Sequence, residues 1–269
     1  MEITEAALSS ADPKRGILKL ISIIDNNLII GNDSYNLNNI QNIYIIGVGK
    51  ASAPIMEVLE KILNERITRS ILIDKKFSSN WQFKRTEVYK AGHPKPDKGS
   101  IQAAQKVLDI VNSASEKDLV INAITGGASS LLWFLPKELS LNAVKETSTL
   151  LLNSGGDIGE INTVRRHLCG FKGGKLIAKI QPAKSVTFTL DTIPSEKNIP
   201  WPDLVLTDST TYYDSIQILK AYKLWSKVPK EVKNYLLEGE KGNREETLKS
   251  MDNFKSKIYS VASPKDSCD

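Results

Sequence analysis

Three glycine-bearing segments hold the residue types best suited to chemistry on an anion. In the first, Gly47-Val48-Gly49-Lys50-Ala51-Ser52 follows the apolar run Ile43 to Ile46. Glycines let a ligand approach the backbone, amides at a helix start attract negative charge, and Lys50 adds a full positive one. Gly47, Gly49 and Ser52 are therefore candidate binding positions around Lys50. The segment is not a P-loop, which needs glycine at the position of Tyr44 and a hydroxyl residue at that of Ala51. Nor is it a dinucleotide fingerprint, which needs glycine in place of Ser52. A plain tight turn competes with the anion-site reading.

The second segment, Thr125-Gly126-Gly127-Ala128-Ser129-Ser130, closes the apolar run 118 to 124. Two adjacent glycines flanked by hydroxyls can present N–H and O–H donors to a phosphate or carboxylate. Thr125, Gly126, Gly127, Ser129 and Ser130 are candidates on that ground, while the alternative is a turn with Ser129 capping a helix. The third runs from Glu160 through Arg165, Arg166 and His167 to Lys172-Gly173-Gly174. Either a basic side chain here, with Arg165 and Lys172 as the candidates, grips an anion, or the stretch is a basic helix ending in a glycine cap.

Asp191 ends an apolar strand pattern, where a carboxylate needs a metal, an arginine or water. It is the candidate magnesium contact, with a helix cap as the other reading. His93 and His167 sit in unrelated contexts without a matching nucleophile, so a hydrolytic triad is not expected, and both read as structural or loop residues.

These segments need a scaffold, and the chain supplies an alternating one. Apolar or β-branched runs at 43 to 46, 67 to 73, 87 to 91, 118 to 124 and 185 to 190 alternate with helical periodicities at 53 to 63, 100 to 111, 140 to 153 and 157 to 180. Residues 16 to 25 read as an opening helix, 212 to 226 as a helix, and 229 to 257 as polar and helix-prone. Alternation of this kind predicts an α/β fold with a mostly parallel, doubly wound sheet whose ligands bind beyond the carboxyl ends of the strands. The turns after residues 46 and 124 should then face each other across that edge.

The 269 residues suffice for one large core or one domain with a small companion. Hydrophobic residues at 41% and charged residues at 25% are those of a packed globular chain, which excludes a disordered one. The net charge of +5 is spread along the sequence and no segment interleaves basic with aromatic residues densely enough for a stacking platform, so nucleic acid is not an expected partner. Cys169 and Cys268 stand far apart without metal-ligand spacing, and no apolar run reaches membrane-spanning length. A reducing cytoplasm and no membrane are expected.

Four motifs in order then resemble one family: Gly47-Val48-Gly49-Lys50-Ala51-Ser52, Gly92-His93-Pro94-Lys95-Pro96-Asp97, Thr125 to Leu132, and Ile161-Asn162-Thr163-Val164-Arg165-Arg166-His167-Leu168 with Lys172-Gly173-Gly174. They resemble the bacterial and archaeal glycerate 2-kinases whose second domain carries the MOFRL signature. The resemblance implies a three-layer, Rossmann-like N-terminal domain and transfer of phosphate from ATP, with Mg2+, to the 2-hydroxyl of D-glycerate. It implies a catalytic role for Lys50, a site completed by an arginine of the second domain, and glycerate as the small-molecule partner, with a homodimer open. The sequence departs from the family at residues 190 to 203, where Asp191 is kept but a glycine and a second acid are not.

On this reading residues 1–255 form the N-terminal domain, and 256–269 are a linker or the truncated start of a largely absent second domain. Weak or no kinase activity is expected of these residues alone. Two alternatives remain: a hydroxypyruvate reductase using NAD(P)H, and a non-catalytic Rossmann-like binding domain.

Overall fold

A computed structural model describes residues 12–75, 81–190 and 203–262. Chemistry at the three segments depends on six strands that form a single parallel sheet: β4 (Ile43–Val48), β5 (Ile67–Asp74), β6 (Thr86–Lys90), β7 (Leu119–Ile124), β8 (Lys184–Leu190) and β9 (Ser256–Ala262). They stand in the order β6-β5-β4-β7-β8-β9. Counted from β4, that order is 3-2-1-4-5-6, the doubly wound arrangement whose direction reverses between its first and fourth strands. Here the reversal lies between β4 and β7.

The period-two alternation of strand side chains explains why the sheet is sandwiched. Every residue of β4 and β7 is buried, as both faces of a parallel sheet must be. Ile43 and Ile45 pack with α1 (Pro13–Leu20) and α2 (Ser52–Leu63) on one face. Tyr44, Ile46 and Val48 join the opposite core with α3 (Lys98–Ser113), α4 (Ala128–Leu131), α5 (Leu141–Leu152), α6 (Ile158–His167) and α7 (Lys175–Ile180). The same core holds α8 (Tyr212–Ala221) and α9 (Lys230–Glu240). Burying each large aliphatic side chain contributes roughly 1.5–3 kcal/mol. The two layers therefore hold the central strands far more firmly than any contact at their tips.

Several boundaries differ from expectation for local reasons. The opening helix stops at Leu20, and Ile21–Ile24 begins a small antiparallel sheet with β2 (Asn27–Ile30) and β3 (Asp33–Asn36), so β1 is Ile21–Ile24. Asp25 and Asn26 both take positive φ, the backbone that a tight hairpin requires and that these residue types tolerate. The helical pattern over 157 to 180 is interrupted between α6 and α7, where Gly173 and Gly174 take φ of 64° and 76°. Residues 256–262, expected in a linker or second domain, are instead the sixth strand of this sheet, paired in parallel with β8. Gly16 of α1 lies against the carbonyl of Val261 with no room for a side chain, which joins the first helix to this last strand. Asp191 lies outside the described residues. No helix among the described residues is long and apolar enough to cross a membrane.

Candidate anion site at the sheet switch point

The turns after β4 and β7 meet where the strand order reverses. Gly49 takes φ of 130°, and a Cβ there would come 2.5 Å from the Thr125 carbonyl oxygen. Only glycine permits that approach. Three bonds clasp the two turns: the Lys50 amide donates to the Gly126 carbonyl at 2.9 Å, the Ala51 amide to Thr125 Oγ1 at 3.0 Å, and Ser52 Oγ to the Ala123 carbonyl at 2.9 Å. Ser52 and Thr125 are fully buried.

This clasp divides the expected binding residues into two kinds. Gly47 makes room for Met56, whose Sδ would lie 2.6 Å from an added Cβ. Gly47, Gly49, Ser52 and Thr125 thus fasten strand to strand and strand to helix, and the hydroxyls of Ser52 and Thr125 are bonded within the clasp. The amides of the turn that leads into α2, expected to attract an anion, are already occupied. Gly49 donates to Ile73, Lys50 to Gly126, Ala51 to Thr125 and Ser52 to Gly49. What the first turn offers is the Lys50 side chain, which is exposed and forms no ion pair with a described residue.

The second turn offers the amides. Those of Gly126, Gly127 and Ser129 have no acceptor among the described residues, and a Cβ on Gly126 would meet nothing within 4 Å. Gly127, at φ of 95°, would bring a Cβ within 3.3 Å of both Lys50 Cε and His93 Nε2. Lys50, His93 and the paired glycines therefore line one spot. His93 had read as a loop residue. Lys50, Lys75 and Arg165, together with burial, hold its imidazole below the ordinary histidine value, burial being the largest cause. Lys75, at the end of β5, carries no motif and was missed for that reason.

Beneath the second turn lies a buried cationic layer. Arg165 donates to Ser130 Oγ at 2.8 Å, and Ser130 Oγ donates to the Pro94 carbonyl at 2.6 Å. Lys172, fully buried, bonds Ser129 Oγ and pairs with Asp203 at 3.1 Å. Burial pulls its ammonium down to about 8, with Asp203 opposing. Arg165 and Lys172 both lie over the buried ring of Trp133, 5.5 and 5.1 Å from its centroid, a placement that favours cations. Ser129, Ser130 and Lys172 were expected to touch ligand. The amine of Lys172 is committed to Ser129 and Asp203, so it supports the turn from below, as Arg165 does through Ser130. Trp133, just past α4, and Asp203, on a distant irregular segment, carry no motif and were missed for that reason.

Arg166 and His167 point elsewhere. Arg166 pairs with Asp208 at 3.0 Å, and His167 is bonded at both nitrogens, to the Thr163 carbonyl and to Glu246. Gly173 and Gly174 give way to Thr247 and Leu248, a packing role. Among the described residues no group of three or more His, Cys, Asp or Glu gathers closely enough to hold a metal.

Likeness to known proteins places this fold and sequence in a family. Residues 1–237 match the family described as "Domain of unknown function (DUF4147)". The chain belongs to this family. It is 34% identical over 249 residues to the glycerate 2-kinase of Pyrococcus horikoshii, covering 93% of this chain and 56% of that one. The crystal structure of glycerate kinase from Thermotoga maritima superposes with a TM-score of 0.81 at 27% identity, over 99% of this chain and 59% of that one. A putative hydroxypyruvate reductase of Agrobacterium vitis is 29% identical over 242 residues, 88% of this chain and 49% of the relative. The DUF4147 chain thus spans about half the length of the curated relatives it matches. The expected parallel α/β fold and the resemblance to glycerate 2-kinases both hold.

Proposed function

We propose that this chain forms the nucleotide- and glycerate-binding half of a glycerate 2-kinase, which transfers phosphate from ATP to the 2-hydroxyl of D-glycerate. The observation that carries the reading is the juxtaposition of the Lys50 amine with the unpaired Gly126 and Gly127 amides at the switch point. Phosphoryl transfer asks a protein mainly for positioned positive charge and amides around the migrating group. Lys50 would neutralise the phosphate oxygens as charge shifts, while the glycine amides would orient them. Arg165 and Lys172, buried under the same turn, would keep it rigid and positive.

Magnesium fits such a site as part of the nucleotide complex, its oxygens coming chiefly from phosphates and water. Asp191 would be the protein contact. We place the reaction in the cytoplasm.

Calorimetric titration with ATP–Mg2+ and with D-glycerate tests the reading, and saturable heat is expected for both. A non-catalytic scaffold would give heat with neither. Turnover by these 269 residues alone should be weak or absent, because the relatives' remaining length would supply the other wall of the cleft. The reductase reading remains the second one, since the 3-2-1-4-5-6 strand order also serves dinucleotides. Loss of NADH with hydroxypyruvate would support it, whereas 2-phosphoglycerate formed from ATP and glycerate would support the kinase.

A further inference from the structure

The two histidines of the chain have opposite surroundings. His167 is completely buried and bonded at both ring nitrogens. His93 is half-buried, and neither of its nitrogens has a hydrogen-bond partner among the described residues. Its Nε2 edge lies toward Gly127, within 3.3 Å of where a Cβ on that glycine would sit, and Lys50 Cε reaches the same spot. A polar ring left unpaired at this distance from a bare glycine pair has no structural task visible in its bonding. The segment that carries it is anchored from both sides. Asp97 caps α3 through the Ser100 amide at 2.9 Å, and the Pro94 carbonyl accepts from Ser130 Oγ. The imidazole is therefore held against the second turn by bonds that it does not itself make.

We propose that His93 is the acceptor-side residue of this site: its Nε2 accepts a hydrogen bond from the substrate hydroxyl that attacks the terminal phosphate. This rests on the reading of the switch point as a triphosphate and 2-hydroxy acid site. As the hydroxyl oxygen bonds to the γ-phosphorus of the nucleoside triphosphate, its O–H bond breaks and the proton passes to Nε2. The bond from γ-phosphorus to the bridging oxygen breaks, and its electron pair leaves on the nucleoside diphosphate. Only a neutral imidazole can serve in this way. Among the described residues, the charged groups facing His93 are Lys50 from the first turn, Lys75 from the end of β5 and Arg165 from α6, all cations that disfavour a second positive charge.

Because the chain holds two histidines, ring resonances give a direct test. The protein at pH 8 is titrated with D-glycerate in the presence of a non-hydrolysable ATP analogue and Mg2+. The C–H signals of His93 should move while those of His167 stay, His93→Gln identifying the signal by its loss. With 3-hydroxypropanoate, which keeps the carboxylate but lacks the 2-hydroxyl, the shift should largely vanish. His93→Gln should keep its melting temperature and its affinity for the nucleotide, and lose about tenfold in glycerate affinity, the weight of one hydrogen bond. If glycerate binds but the His93 signals stay still, or move equally with the analogue, this proposal falls and the site reading stands. If neither nucleotide nor glycerate binds, the site reading falls and takes this inference with it.

Discussion

At the scale of single residues, neighbouring glycines in one crevice have unlike reasons for being glycine, and the difference can be measured. Gly49 is required by the fold, because a Cβ at its φ of 130° would strike the Thr125 carbonyl. Gly126 is not, because a Cβ there meets open space. Gly49→Ala should destabilise the protein by about 2 kcal/mol or more, the combined effect of overpacking and a left-handed backbone. Gly126→Ala should leave the denaturant midpoint unchanged and weaken ATP binding at least tenfold, as read by urea unfolding and calorimetry on each variant. An equal loss of stability in both would mean that neither glycine serves a ligand.

The cationic layer under the second turn is tested in the same way. Lys172→Met leaves Asp203 as an unpaired buried carboxylate and should cost about 3–5 kcal/mol. Adding Asp203→Leu should recover much of that. A single variant as stable as wild type would mean that the pair does not hold the turn.

At the scale of elements, strand interiors were legible and the ends of the chain were not. Residues 43 to 48 and 119 to 124 are apolar but for Asn122 and the hydroxyl of Tyr44, and both became fully buried central strands. The three-stranded sheet over residues 21 to 36 was hidden because Ile17, Ile21 and Leu28 fall at spacings that also suit a helix. Only the turn at Asp25 and Asn26 separates the two. Residues 256 to 262 were misread because an edge strand alternates weakly, with Val261 and Ala262 its only buried side chains. In the site, Lys50, Gly126 and Gly127 were legible from turn composition. His93, Trp133 and Asp203 were not, since their roles come from tertiary approach alone.

The join between α6 and the segment before β9 carries a pH signature. Burial pushes the Glu246 carboxyl up, but hydrogen bonds from His167 and from the Thr247 and Tyr212 amides outweigh it and bring it to about 2, against an ordinary 4.5. A carboxylate depressed in the folded state adds stability above its unfolded value and loses it as pH falls through the folded one. Its contribution should be complete above pH 4.5 and disappear toward pH 2. Glu246→Gln should flatten that part of the urea-midpoint profile, and an unchanged slope would mean that the bond from His167 is not formed in solution.

At the scale of the whole molecule, the order β6-β5-β4-β7-β8-β9 decides where a ligand can sit. Reversal between β4 and β7 splays the connections to opposite faces of the sheet and opens a crevice at the carboxyl edge. The Lys50 amine and the Gly126–Gly127 amides come from the two strands that flank this gap, and the clasp of Lys50 to Gly126 keeps them in register. Nothing at any other strand end among the described residues combines an exposed lysine with a bare glycine pair. The most direct test is calorimetric titration of the wild-type chain and of Lys50→Met with ATP–Mg2+. Lys50 is exposed, so the substitution should leave the melting temperature in place. The account predicts saturable binding by the wild type that weakens at least tenfold in the variant. Equal affinity in both, or no binding by a folded wild-type chain, would contradict it.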